Sequence, residues 1–137
     1  MIGNHSQYLV PWARPVTMDW EEPKGWPGVI HREGRTLVRV SERPNSQMTG
    51  PVSRRGGGVF LNPAMSGSRT RSVLLFDHAI ESGILGEGPV YALDGLAAGG
   101  IRARRWLNEI SEDNAKRLDV TISDLDGEAI EWAMGNH

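Results

Sequence analysis

From Val59 onward the chain alternates helix-forming with strand-forming stretches, and nothing else in the sequence constrains its fold as strongly. The spacing predicts a helix over Arg69–Glu81, a strand at Val90–Leu93 and a loop of small residues. A helix over about Ile101–Ile110, a second strand at Asp119–Ser123 and a third helix over Gly127–Asn136 follow. Alternation of this kind argues for a parallel sheet covered by helices, an α/β architecture. In the first helix Val73, Leu74, Phe76, Ala79 and Ile80 fall near one face, and in the last Ala129, Ile130, Ala133 and Met134 point inward. Ser66 or Ser68 can cap the first helix, Gly83 can end it, and Ser111–Arg117 is a polar connection. Two parallel strands make a poor stand-alone sheet, so this region reads as the front half of something larger.

The rest of the chain is organised differently. Residues 1–28 form an irregular arm in which Pro11, Pro15, Pro23 and Pro27 interrupt any helix. Trp12, Trp20 and Trp26 either pin that arm to the domain or stack on bases. Residues 29–58 read as a small β hairpin that turns at Glu33-Gly34, followed by a loop and the hinge Gly56–Gly58. Residues 59–137 hold the alternating segment.

The chemistry concentrates at the ends of the two parallel strands. Asp94 ends the first, and Gly95, Gly99 and Gly100 punctuate the loop that leads to the next helix. In open α/β sheets ligands bind beyond the carboxyl ends of strands, where glycine permits close approach and a carboxylate accepts hydrogen bonds. Asp124 ends the second strand, a position where an acid holds ribose hydroxyls of an adenosine-containing ligand. The glycines do not spell the dinucleotide fingerprint, and Asp124 lies farther along than that pattern prefers, which favours a methyl donor.

Bulk properties narrow the classes. The chain has no cysteine, which excludes disulfides and thiolate metal sites and points to a cytoplasmic protein. No run reaches the roughly 20 apolar residues of a membrane helix, and no secretory signal opens the chain, so no membrane partner is expected. Four scattered histidines give no metal site. Net charge is −2, but it is divided unevenly. Met1–Gly58 carries eight basic and five acidic residues, whereas Trp106–His137 carries two and eight. Thirteen of the fifteen basic residues are arginine, the residue suited to planar contact with phosphate and to stacking on bases; a GC-rich coding sequence gives the same bias.

Three segments also carry a family resemblance. Phe60-Leu61-Asn62-Pro63-Ala64-Met65, followed by Ser68-Arg69, resembles the F-x-N-P-x-M…N-R-D segment of tRNA guanine-26 N2-dimethyltransferases. Leu93-Asp94-Gly95-Leu96-Ala97-Ala98-Gly99-Gly100-Ile101-Arg102 is similar to that family's L-D-A-L-x-x-x-G-I-R. Val120–Asp124 with Glu128-Ala129 resembles its second-strand segment, and Glu33-Gly34 fits its N-terminal hairpin. The likeness spans about Glu33–Asn136; Ser68, Arg71 and Ser123 depart from the family pattern.

The resemblance implies a partial Rossmann-like class I methyltransferase sheet with a small N-terminal hairpin, using S-adenosylmethionine to methylate a guanine amine in tRNA. By matching position it assigns Arg69, Asp94, Gly95, Gly99, Arg102 and Asp124 to the donor, with Asp124 on the ribose. Phe60, by stacking, and Asn62 are assigned to the target guanine. The family's acidic D-P-F-G segment does not occur in this sequence. Its catalytic carboxylate is therefore expected downstream of His137, with no catalytic residue in this chain and little or no turnover by it alone. Two other readings compete: a non-catalytic RNA-binding module that uses the arginine-rich front half, and a dinucleotide-dependent oxidoreductase fragment.

Overall fold

A computed structural model describes residues 28–41, 59 and 61–137. The arm with Trp12, Trp20 and Trp26, the Gly56–Gly58 hinge and Phe60 lie outside the described residues. The chain is mixed α and β. Strands β1 (Val29–Glu33) and β2 (Thr36–Val40) form an antiparallel hairpin. After a 3-10 turn at Pro63–Met65 come α1 (Ser66–Glu81), β3 (Val90–Asp94), α2 (Ile101–Glu109), α3 (Glu112–Ala115), β4 (Leu118–Ile122) and α4 (Gly127–Asn136). β3 and β4 pair in parallel, with Val90 opposite Leu118 and Asp94 opposite Ile122. The hairpin and the parallel pair are separate two-stranded sheets.

Local chemistry explains the hairpin. Gly34, at φ 60°, is the first of two residues between β1 and β2, where type II′ turns place glycine. A methyl group there would also lie 2.5 Å from a carboxylate oxygen of Glu109, so the turn is closed down on α2.

The first helix starts earlier than its serines predict. Asn62 Oδ1 accepts from the Ala64 N–H at 3.0 Å, and Pro63 follows at the first position of the 3-10 turn. The chain thus turns helical at Pro63, and Ser66 and Ser68 lie inside α1 rather than capping it. Its inward stripe is Arg69, Val73, Phe76 and Ile80, while Leu74 is 66% exposed. The expected apolar face is therefore rotated, and a buried arginine extends it. In α4 Ala129, Trp132, Ala133 and Asn136 are inward, and Met134, expected inside, is 59% exposed. β4 begins one residue before the predicted strand, because Val90 donates to Arg117 O at 2.7 Å and draws Leu118 into register.

A small apolar core of Val73, Ile110 and Ala115, with Phe76, Trp106 and Leu118 against it, joins α1, α2, α3 and β4. Phe76 and Trp106 meet edge to face at 5.3 Å, a geometry worth about 0.5–1.5 kcal/mol beyond the area it buries. Trp106 Nε1 donates to Ser72 Oγ at 3.1 Å, which satisfies the indole N–H.

Among the described residues the parallel pair is covered on one face only. On the other, Tyr91 is 77% and Leu93 65% exposed, beside the exposed Asp119 and Thr121 of β4. Among the described residues no third strand joins β3 and β4. Parallel sheets are ordinarily covered on both faces, so the described residues alone make an incomplete layer. Among the described residues, no helix is long and apolar enough to cross a membrane.

Candidate functional site

A cleft of about 180 Å³ opens at the carboxyl end of β3. Asn62, Arg69, Asp94 and Arg102 line it, with Ala97, Ala98 and Ile101 from the loop and helix start and Met65 and Leu96 among the apolar residues. Two separate stretches of sequence supply these groups. The 3-10 turn brings Asn62, the first turn of α1 brings Arg69, and the β3–α2 connection brings Asp94 and Arg102.

Asp94 ends β3 and is buried, 6% exposed. Its Oδ2 accepts from the Ala103 N–H at 3.3 Å, so the carboxylate sits at the positive end of α2. Burial pushes its pKa above the ordinary carboxylate value. The Ala103 N–H and the Arg102 charge pull it back down, and the Asp124 charge adds to the rise. Among the described residues its second oxygen, Oδ1, has no hydrogen-bond partner. It is the one carboxylate among the described residues that line the cleft.

Arg69 is buried and held on two sides. Its Nε and Nη2 donate to the two oxygens of Glu33 at 2.6 and 2.5 Å, and Nη2 also donates to Asn62 O at 3.1 Å. Its Nη1 has no partner among the described residues. Arg102 is half-buried on the cleft wall, and its charge acts on Asp94.

The remaining predicted positions fall elsewhere. Asp124 lies two residues beyond β4 and does not line the cleft. Its Oδ2 accepts from the Ala98 N–H and its Oδ1 from the Asp126 N–H, both at 3.0 Å, so it ties the two strand-end loops together. Ala98 bends into positive φ, 46°, at that contact. Gly95 is exposed just after Asp94. Gly99 packs against Val59, and its carbonyl accepts from Asn136 Nδ2 at 3.1 Å.

Behind the cleft lies a buried ionic network that the sequence did not announce. Arg105 Nη1 donates to Glu33 Oε1 at 2.8 Å, and Arg105 Nε and Nη2 grip Glu109 at 2.9 and 2.8 Å. Thr36 Oγ1 and the Arg35 N–H donate to Glu109 Oε1 at 2.9 and 3.1 Å, and Arg105 Nη2 reaches Thr70 Oγ1 at 3.0 Å. Burial pushes the Glu33 carboxyl up, but Arg69 and Arg105 more than offset this and hold it below its ordinary value. The Glu109 hydrogen bonds, opposed in part by burial, hold the Arg105 guanidinium above its own. The network fastens the hairpin to α1 and α2. In the sequence Glu33 reads as a turn residue, and no motif marks Arg105 or Glu109, whose i, i+4 spacing on α2 suits an ion pair. Arg69, which the resemblance assigns to the donor, and Arg105, for which the sequence gives no role, both serve the interior.

A second polar anchor is Asn136, buried in α4. Its Oδ1 accepts from the Arg39 N–H at 2.7 Å, and its Nδ2 donates to Arg39 O at 3.1 Å as well as to Gly99 O. The side-chain amide pairs with β2 as a neighbouring strand would. Among the described residues, no group of three or more acids and histidines could hold a metal ion. No family model, no curated protein and no solved structure matches the chain.

Proposed function

We propose that the chain is the donor-binding part of a Rossmann-like, S-adenosylmethionine-dependent methyltransferase that acts on the N2 amine of a guanine in tRNA. One observation carries the reading: Asn62, Arg69, Asp94 and Arg102, picked from separate motifs, line one cleft at the carboxyl end of β3. That is where open α/β sheets bind ligands. The groups suit the amino-acid end of the donor. The Asp94 Oδ1 can accept from an α-ammonium, and the Arg69 Nη1 and Arg102 can donate to the α-carboxylate. At about 180 Å³ the cleft is smaller than the roughly 300–1,000 Å³ of sites that enclose a whole drug-sized ligand, so it takes one end of the donor.

When bound, the donor supplies an already activated sulfonium methyl group. The chain's own residues bind and orient it, and such positioning is a large part of any catalytic effect. Asp94 accepts and holds hydrogen bonds, while Arg69, fixed by Glu33, sets direction. The test is isothermal titration of the chain with S-adenosylmethionine. Saturable binding that is lost in Asp94→Asn and in Arg69→Met, both still folded, is the expected result. Equal affinity in wild type and both variants would sink the reading.

A further inference from the structure

Resting on the donor-binding reading above, we propose that Glu33 is the positioning residue that fixes Arg69 at the cleft wall and so sets the affinity for the amino-acid end of the donor. Glu33 does not line the cleft. It comes from the end of β1, 36 residues before Arg69, and is buried at the hairpin's contact with α1 and α2. Its two oxygens take Nε and Nη2 of Arg69 side-on, the bidentate arrangement that fixes the plane of a guanidinium. Asn62 O takes a further Nη2 hydrogen. The donor nitrogen left over among the described residues is Nη1, on a side chain that lines the cleft.

The carboxylate that holds Arg69 is itself held. Arg105 Nη1 donates to the Glu33 oxygen that also receives Arg69 Nε, and Glu109 fixes Arg105 in turn. His31 Nε2 lies 3.9 Å from the other oxygen, with no hydrogen-bond partner among the described residues. Within this cluster the charges of Glu33 and Glu109 balance those of Arg69 and Arg105. Arg69 therefore acts on a ligand through the fixed direction of its Nη1 amino group rather than through a net positive field. A free arginine would have to be ordered when the ligand arrives; Glu33 orders it beforehand, and preorganisation of this kind raises affinity. Arg102, on the same cleft, has no hydrogen-bonded clamp among the described residues, so the two arginines are not equivalent.

The experiment compares two ligands on the full chain by titration calorimetry. S-adenosylhomocysteine carries the amino-acid end, and 5′-methylthioadenosine lacks it. Glu33→Gln is expected to weaken S-adenosylhomocysteine by about tenfold or more and to leave 5′-methylthioadenosine unchanged. Arg69→Lys should do the same, and combining the two should add no further loss, because Glu33 acts through Arg69. Wild-type affinity for S-adenosylhomocysteine in Glu33→Gln, an equal loss for both ligands, or additive losses in the double variant would each overturn the proposal. If Glu33→Gln shows no cooperative thermal transition, Glu33→Asp decides. It keeps the charge and withdraws the carboxylate by one methylene, so a loss confined to S-adenosylhomocysteine supports the assignment and unchanged affinity rejects it. A wild-type chain that binds neither ligand rejects the donor reading itself and takes this proposal with it. If wild type binds both and Glu33→Gln does too, the donor reading stands and the role of Glu33 alone fails.

Discussion

At the scale of single residues, some polar groups of this protein hold the fold and others strain it. Asn136 belongs to the first kind: its amide makes three hydrogen bonds to backbone from a fully buried position. Asn136→Ala leaves the Arg39 N–H and carbonyl without that partner and should lower unfolding stability by about 2–4 kcal/mol in urea titrations. Asn136→Asp should do no better, since a carboxylate cannot donate to the carbonyls of Arg39 and Gly99. Asp94 belongs to the second kind. Its folded-state pKa is raised, so the folded chain prefers the proton. Stability due to Asp94 is therefore greatest below about pH 3.9, the ordinary Asp value, and falls as pH rises through the raised one. Asp94→Asn should remove that fall and be more stable than wild type at pH 7, as read from denaturation curves between pH 3 and 7, while losing the donor. Glu33 and Asp77 run in the opposite direction. Burial raises each, and hydrogen bonds outweigh it, from Arg69 and Arg105 for Glu33 and from Asn114 and Ser111 for Asp77. Their contribution is complete above the ordinary carboxylate range and is lost as pH falls through their lowered values.

At the scale of elements, the hairpin is seated by buried ion pairs as well as by the apolar burial of Val38. Its turn presses on Glu109 and Arg105, where a methyl at Gly34 would lie 2.5 and 2.8 Å from their side-chain atoms. Gly34→Ala therefore combines the strain of positive φ with displacement of a buried ion pair and should cost about 2–4 kcal/mol. Gly83 also has positive φ, 74°, but nothing lies within 4 Å of the position a methyl would take. Gly83→Ala should cost only about 1 kcal/mol, and equal losses in thermal unfolding would show that the clash at Gly34 is immaterial. The same contrast explains what could be read from the chain beforehand. α2, α4 and β3 follow from local periodicity and lie within a residue of their expected bounds, and the hairpin follows from its turn residues. The inward stripe of α1 could not be read, because Arg69 is interior only when Glu33 arrives from another element. Asn62, Arg69, Asp94 and Arg102 were legible as a set because each stands in a motif. The place of Asp124 was not, since its oxygens are taken by loop N–H groups that only the folded connection supplies.

At the scale of the whole molecule, the parallel pair is a sheet that the described residues leave with one bare face and two open edges. If Tyr91 and Leu93 touch nothing in this chain, Tyr91→Ser and Leu93→Lys should each change unfolding stability by no more than about 0.5 kcal/mol. A larger loss would mean that this face is covered in solution. The arginine-rich composition also takes a different meaning at this scale. Arg69 and Arg105 are interior, and Arg104 is half-buried and donates to Leu37 O and Asn136 O, so basic content overstates the charge left for a nucleic acid. The contacts that seat the hairpin join distant parts of the chain: 74 residues separate Arg35 from Glu109, and 97 separate Arg39 from Asn136. At roughly 5–20 residues per second on a ribosome, the hairpin emerges about 5–20 s before Asn136 exists to receive it. For that interval Arg39 in β2 waits for its amide partner, and the last turn of α4 acts as a latch, so a chain that stops before Asn136 should be cut within β2 by proteases that spare one that contains it.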